Sequence, residues 1–249
     1  MRMQYAKAYL DGVHALLNRL WETQQDAINK AIEAMAESVA SGGVVHIFGC
    51  GHTQVLGLEV WYRAGQPAFM SPLFNENLWP YNGPLLGSAM EKLEGFGELI
   101  FEAHDARSGE VILVLSNSGR NAAPVEVALK AKERGLTVVA ITSMDYSTKV
   151  SSKHSSGKRL FEIADITIDN CGPMGDALLS VPGVGPKVGP VTTILNAALL
   201  DAMLVELNAR LAARGVEPPV FTSANLDADL SKNVEYVRRY AARVRFYHG

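Results

Sequence analysis

The sequence predicts an α/β fold, a parallel sheet sandwiched by helices. Val111 to Leu115 is an unbroken apolar run, the mark of a strand buried on both faces of a parallel sheet. Runs of this kind, at Val44 to Phe48, Val111 to Leu115, Thr137 to Thr142 and Ile163 to Ile168, are interleaved with stretches of helical period. The first two run straight into turns, 49–54 and 116–121, built from glycine, hydroxyl and amide residues. On such sheets ligands sit beyond the carboxyl ends of the strands, where these turns meet.

Composition narrows the function classes. The 249 residues suit one α/β domain with helical additions, and 48% hydrophobic content is ample for a core. A net charge of −3, with both signs mixed along the chain, argues against a nucleic-acid partner held by a broad basic face. It leaves room for a small anion held by backbone. Two cysteines, Cys50 and Cys171, give neither a framework of bridges nor zinc spacing and fit a reducing cytoplasm. Met1 to Leu20 carries Lys7, Asp11 and Arg19 inside its apolar pattern, unlike a signal peptide. Val191 to Leu207 is broken by Asn196, Asp201 and Glu206 and does not read as a membrane span. Neither a membrane partner nor a metal or other cofactor is expected.

Residues 3–40 read as two helices, a hairpin suited to dimerisation, from the helical spacing of Tyr5 to Leu20 and of Ile28 to Val39. Residues 41–215 form the α/β domain. Its first strand, Val44 to Phe48, leads to the first turn and a helix from about Thr53 to Ala64. Residues 66–90 read as a long loop rich in Pro, Asn and Gly, a length more often functional than idle. Lys92 to His104 reads as a helix. The helix from Ala122 to Arg134 tolerates Pro124 only in its first turn, so it begins near Gly119–Asn121. Tyr146 to Lys158 is polar, and Cys171 to Gly189 is a second Gly- and Pro-rich loop. Val191 to Ala213 is a long helix. Residues 216–249 read as a loop and a last helix packing on the domain. The arginines at 238, 239, 243 and 245 read as a solvated face.

The second turn places Ser116, Asn117, Ser118 and Asn121 around a helix N-terminus. Free N–H groups, the positive dipole end and short polar side chains together make an anion site, with phosphate the obvious anion. A cap needs one such residue, and here there are four. In the first turn Gly49 and Gly51 allow close approach of a ligand, and Thr53 directs its hydroxyl at the same space as Ser118. The Gly-x-Gly pattern falls short of a dinucleotide fingerprint, because Gln54 stands at the third glycine position and no acid closes the next strand.

Phe48-Gly49-Cys50-Gly51-His52-Thr53 and Ser116-Asn117-Ser118-Gly119-Arg120-Asn121, with the strands around them, resemble the SIS (sugar isomerase) family of phosphosugar-binding domains. The likeness covers roughly residues 35–215 and is nearest to stand-alone bacterial sugar isomerase domain proteins. Phosphoheptose isomerase and N-acetylmuramic acid 6-phosphate etherase are similar at greater distance. The resemblance implies a flavodoxin-like three-layer fold. It also implies a phosphosugar held by Thr53, Ser116, Ser118 and the backbone at Gly119, joined by Gly51, Asn117 and Asn121. Asn121 replaces the family's usual Thr or Ser, and Arg63 stands where the isomerases and etherases carry a glutamate. The late-helix histidine of the heptose isomerases has no counterpart in Val191 to Ala213.

An aldose–ketose isomerase needs a base beside the reacting carbons. Glu59, six residues after Thr53, and Glu76, between two asparagines in the 66–90 loop, are the candidates. His52, inside the first turn, is the third. The bland readings are an i,i+4 pair of Glu59 with Arg63 and an outward-turned His52. His46 reads as a core histidine, and His104 and His248 are given no role. Two readings follow: a sugar phosphate isomerase or related lyase, and a non-catalytic phosphosugar sensor or protein adaptor. Both bind a phosphorylated sugar, and both are expected as a homodimer or homotetramer from the surplus of apolar helix surface.

Overall fold

The computed structural model describes residues 3–247, so His248 and the extreme ends of the 1–40 and 216–249 segments lie outside it. The chain opens with α1 (Gln4–Ala40), followed by β1 (Val45–Gly49), α2 (Gln54–Val60) and β2 (Met70–Pro72). Next come α3 (Pro84–Met90), α4 (Phe96–Glu102), β3 (Val111–Leu115), α5 (Ala122–Glu133) and β4 (Thr137–Thr142). The last third holds α6 (Met144–Ser147), β5 (Ile166–Asp169), a hairpin of β6 (Ala177–Leu179) and β7 (Val188–Pro190), α7 (Thr192–Ala213) and α8 (Ser231–Tyr240).

The five main strands run in the order β2-β1-β3-β4-β5 and pair parallel throughout. Alternate residues of each strand feed opposite faces. Val45, Ile47, Val111, Leu113, Val139 and Ile141 join a core with α1 and α7. Phe48, Ile112, Val114, Val138 and Ala140 join a second core with α4 and α5. Each apolar run is thus consumed by two layers at once, and the expected sandwich is present. β1 and β3 end side by side, Gly49 opposite Leu115. In this order the connections leave toward opposite faces between these two strands, which opens a crevice at their carboxyl ends.

Four expectations need correction. Residues 4–40 form one 37-residue helix, not a hairpin. The two apolar stretches are one stripe, because buried Val13, Leu20 and Ile28 fall seven and eight residues apart, the spacing of two helical turns. No proline lies between Gln4 and Ala40, and Gly12 faces Leu178 of the hairpin. The helix placed at Lys92 to His104 begins only at Phe96. Gly95 is left-handed at φ 87°, and the Glu126 carboxylate accepts the N–H groups of Gly95 (2.5 Å) and Gly97 (2.8 Å). The 66–90 loop instead carries α3. Arg243 is not on a solvated face, since α8 ends at Tyr240; it turns inward and pairs with Glu110 at 2.5 Å.

That pair belongs to a buried cluster at the opening ends of the strands. Glu110 accepts from the backbone of Val44 (3.0 Å) and Arg107 (2.9 Å) and meets His46 Nε2 at 2.9 Å. Burial pushes its carboxyl up, but the hydrogen bonds from His46, Arg107 and Arg243 more than offset this, leaving it at about 2. His104, buried on α4, is held down at about 4 chiefly by desolvation of its charged form.

Both shifts make the unfolded chain the better proton acceptor in acid, so stability falls with pH. The His104 contribution is lost from pH 6.5 down to about 4, and that of Glu110 from pH 4.5 down to about 2. Urea unfolding should show a steady loss of stability below pH 6.5. Glu110→Gln should cost about 3 kcal/mol at pH 7, because it removes the buried charge that Arg243 and His46 share and leaves Arg243 with Asp105 alone. It should also remove part of the loss below pH 4.5. An acid-insensitive unfolding midpoint in the wild type would overturn this account.

Candidate functional site at the strand ends

The second turn is polarised by the way the fold holds it. The Thr142 hydroxyl donates to the carbonyls of Ser116 (2.7 Å) and Asn117 (3.1 Å), and Ser143 N–H donates to Asn117 O (3.2 Å). Leu160 N–H holds Gly119 O and Lys153 N–H holds Arg120 O, both at 2.8 Å, while Val125 N–H reaches Asn121 O at 3.4 Å. Gly119 N–H is taken by Ser116 Oγ at 3.2 Å. The N–H groups of Asn117, Ser118, Arg120 and Asn121 have no acceptor among the described residues. Carbonyls are tied back into the protein and N–H groups are left over. A bend of this kind, with left-handed Gly119 at φ 57°, is an anion-binding concavity.

The predicted side chains divide. Ser118 is half-buried at the rim, and none of the bonds that hold the turn uses its hydroxyl. Ser116 is nearly buried and serves Gly119. Asn117 is spent on structure: its Nδ2 donates to Thr192 Oγ1 at 2.6 Å and its Oδ1 accepts from Asn170 Nδ2 at 2.8 Å. Asn121, at the N-cap of α5, donates its amide to Glu91 Oε1 at 2.9 Å. Pro124 is the third residue of α5, in the first turn as required.

In the first turn, Gly51 is left-handed at φ 57° with open space on its Cβ side. Thr53 donates its hydroxyl to Cys50 O at 2.6 Å and lies over Gly49, where a Cβ would come within 2.5 Å of its oxygen. His52 is exposed. Gln54 is buried, and its Oε1 accepts Asn75 N–H at 3.2 Å, which ties this turn to the 66–90 segment.

The carboxylate candidates are not gathered with the turns. Glu59 pairs with Arg63 on the flank of α2. Glu76 lines a cavity of about 400 Å³ with Asn75, Asn77, His104, Arg245 and Phe246, and no residue of either turn lines it. Glu91, which the sequence pattern hides inside a supposed helix boundary, is the carboxylate that reaches the second turn. The signal that marks the break after it is Gly95, the left-handed N-cap at which α4 starts. Among the described residues no three His, Cys, Asp or Glu side chains converge as a metal site. No helix among them is long and apolar enough to cross a membrane.

Strand order, crevice and polarised turn define a SIS domain, and the family model for that domain matches residues 8–143. The chain belongs to the SIS-domain family. Within it, the chain is 39% identical to a UPF0309 protein of Caldanaerobacter subterraneus, over 95% of this chain and 98% of that one. A UPF0309 protein of Geobacillus thermodenitrificans is 37% identical, with 95% of each chain covered. Among solved structures, phosphoheptose isomerase from Neisseria gonorrhoeae superposes with a TM-score of 0.56 at 16% identity, covering 84% of this chain and 100% of that one. The Vibrio vulnificus NanR protein complexed with ManNAc-6P superposes with a TM-score of 0.51 at 13% identity, covering 86% and 66%. These two likenesses are of fold.

Gly119 gives a direct test of the turn. A Cβ there would lie 3.0 Å from Ser147 Oγ and 3.1 Å from Leu160 Cβ, on a backbone that L side chains rarely adopt. Gly119→Ala should destabilise the protein by about 1–3 kcal/mol. Gly51→Ala meets no neighbour and should cost only the backbone strain. Thermal unfolding of the pair should rank them in that order.

Proposed function

We propose that the chain binds a phosphorylated sugar across the two turns and isomerises it between aldose and ketose forms. The observation that carries the binding half is the polarity of residues 116–121, where five of six carbonyls are held by the protein while four N–H groups are left without acceptors. A phosphate satisfies such groups with its several acceptor oxygens. Ser118 adds a hydroxyl, with Thr53 and the open side of Gly51 facing from the first turn. Ser116 and Asn117 shape the cradle from behind. The complex of the NanR neighbour with ManNAc-6P supports the same ligand class here.

The proton-moving group must come within hydrogen-bond reach of the sugar carbons. His52 stands on the first turn, whereas Glu59 is engaged with Arg63 and Glu76 opens into another cavity. We further propose that the protein is a homodimer or homotetramer through the α1–α7 face. Its groove of about 760 Å³ is lined by Leu17, Trp21, Ile28, Ala202 and Val205, and Trp21 and Val205 are 59% and 71% exposed. Cytoplasmic residence accords with two unpaired cysteines.

Calorimetry with matched sugars and sugar phosphates should give binding only for the phosphorylated partner. Ser118→Ala should weaken it by tenfold to a hundredfold, since a hydrogen bond to a charged group contributes about 1.5–3 kcal/mol. Equal affinity for free and phosphorylated sugar would remove the phosphate argument. Proton exchange next to the carbonyl, followed in deuterated water, separates the isomerase from a non-catalytic sensor. Light scattering at micromolar concentration should give at least twice 26.9 kDa, and a clean monomer would overturn the oligomer.

A further inference from the structure

Glu91 lies where the two turns meet. α3 ends at Met90 and passes the next residue to the second turn, where Glu91 Oε1 accepts from Asn121 Nδ2 at 2.9 Å. The Glu91 backbone carbonyl accepts Ala123 N–H at 3.0 Å, so main chain and side chain are both anchored to the start of α5. On its other side α3 packs against the first turn, and Met90 and Cys50 rest on the same core. The Cys50 thiol is pushed well up by burial and then by the Glu91 charge, so it stays a neutral neighbour of that carboxylate. Glu91 is half-buried, and its second oxygen, Oε2, enters no hydrogen bond among the described residues.

We propose that Glu91 is the base that carries the proton between adjacent sugar carbons in this site. One oxygen pinned by Asn121 fixes the carboxylate, and the other is left to face a ligand seated on the outward N–H groups. The inference rests on the phosphosugar reading and gives the role to Glu91 rather than to His52, Glu59 or Glu76. In the forward step Oε2 takes the proton from the carbon next to the carbonyl. The C–H electron pair becomes the C=C bond of an enediol, and the carbonyl oxygen takes up a proton from water. Glu91 then returns its proton to the former carbonyl carbon, while the hydroxyl on the other carbon releases a proton and becomes the new carbonyl. One carbon is oxidised and its neighbour reduced by the same two electrons, so no outside oxidant or reductant enters.

Glu91→Gln separates this role from a structural one. Glutamine keeps an oxygen that accepts from Asn121, so the anchor survives while the proton acceptor is lost. Wild type and variant are compared by calorimetry against glucose 6-phosphate, fructose 6-phosphate, N-acetylmannosamine 6-phosphate and arabinose 5-phosphate, and by hydrogen exchange into each in deuterated water. The variant should bind the ligand about as tightly as the wild type, because the proton acceptor is used in the transition state and not in holding the phosphate, and exchange should slow by about a hundredfold or more. Exchange within about threefold of wild type would overturn the assignment to Glu91 and leave the phosphosugar reading intact. Parallel loss of binding and exchange would make Glu91 a structural anchor, which also overturns it. A wild type that binds but exchanges nothing leaves no proton step for Glu91 to perform. A wild type that binds none of the four sinks the phosphosugar reading itself, and Glu91 with it.

Discussion

The site depends on a division of labour within one turn. Six residues, 116–121, contain as many carbonyls as N–H groups, yet the fold treats the two kinds of group differently. Thr142, Ser143, Lys153 and Leu160 reach in from β4 and the loop beyond it to hold the carbonyls. Ile141 O and Ser116 Oγ take the N–H groups of Ser116 and Gly119, but nothing among the described residues comes to the other four, although an unpaired amide away from water costs as much as a lost hydrogen bond. The turn is therefore stable only beside water or an anion. Because five of its six carbonyls are already fixed, the turn has little backbone freedom left to lose.

The same economy extends outward. Asn117, at the head of the turn, is tied to Asn170 beyond β5 and to Thr192 at the start of α7, so the turn is braced against two further elements. Glu126, inside α5, takes the N–H groups of Gly95 and Gly97 and thereby fixes where α4 begins. Gly97 has no room for a side chain, since a Cβ would sit 2.4 Å from Ala123 O. This close crossing of α4 and α5 sets the position of the bend that carries Glu91.

Much of the fold can be read locally. β3 and β4 are runs of β-branched and aliphatic residues between turn signals, and their bounds match the pattern at Val111–Leu115 and Thr137–Thr142. The two turns are visible as short polar clusters after such runs. The unbroken α1 is not, because a stripe that skips from Leu20 to Ile28 looks like two helices until the period is counted across the gap. The clamps on the second turn are hidden for another reason: Thr142, Lys153, Leu160 and Thr192 lie 25 to 75 residues from the groups they hold, and no local pattern links them to it. Glu91 is hidden because it caps a short helix inside a stretch that reads as loop, and because its partner, Asn121, is 30 residues away.

The start of α7 offers a contrast with the start of α5. Asp176, held at φ 69° immediately before the first strand of the hairpin, accepts the N–H groups of Val191 (3.1 Å) and Thr192 (2.8 Å) through one carboxylate oxygen. The positive end of this 22-residue helix is thus filled by an anion belonging to the chain itself. The N–H groups at the start of α7 are satisfied from within the chain, whereas those of Asn117, Ser118, Arg120 and Asn121 ahead of α5 have no acceptor among the described residues.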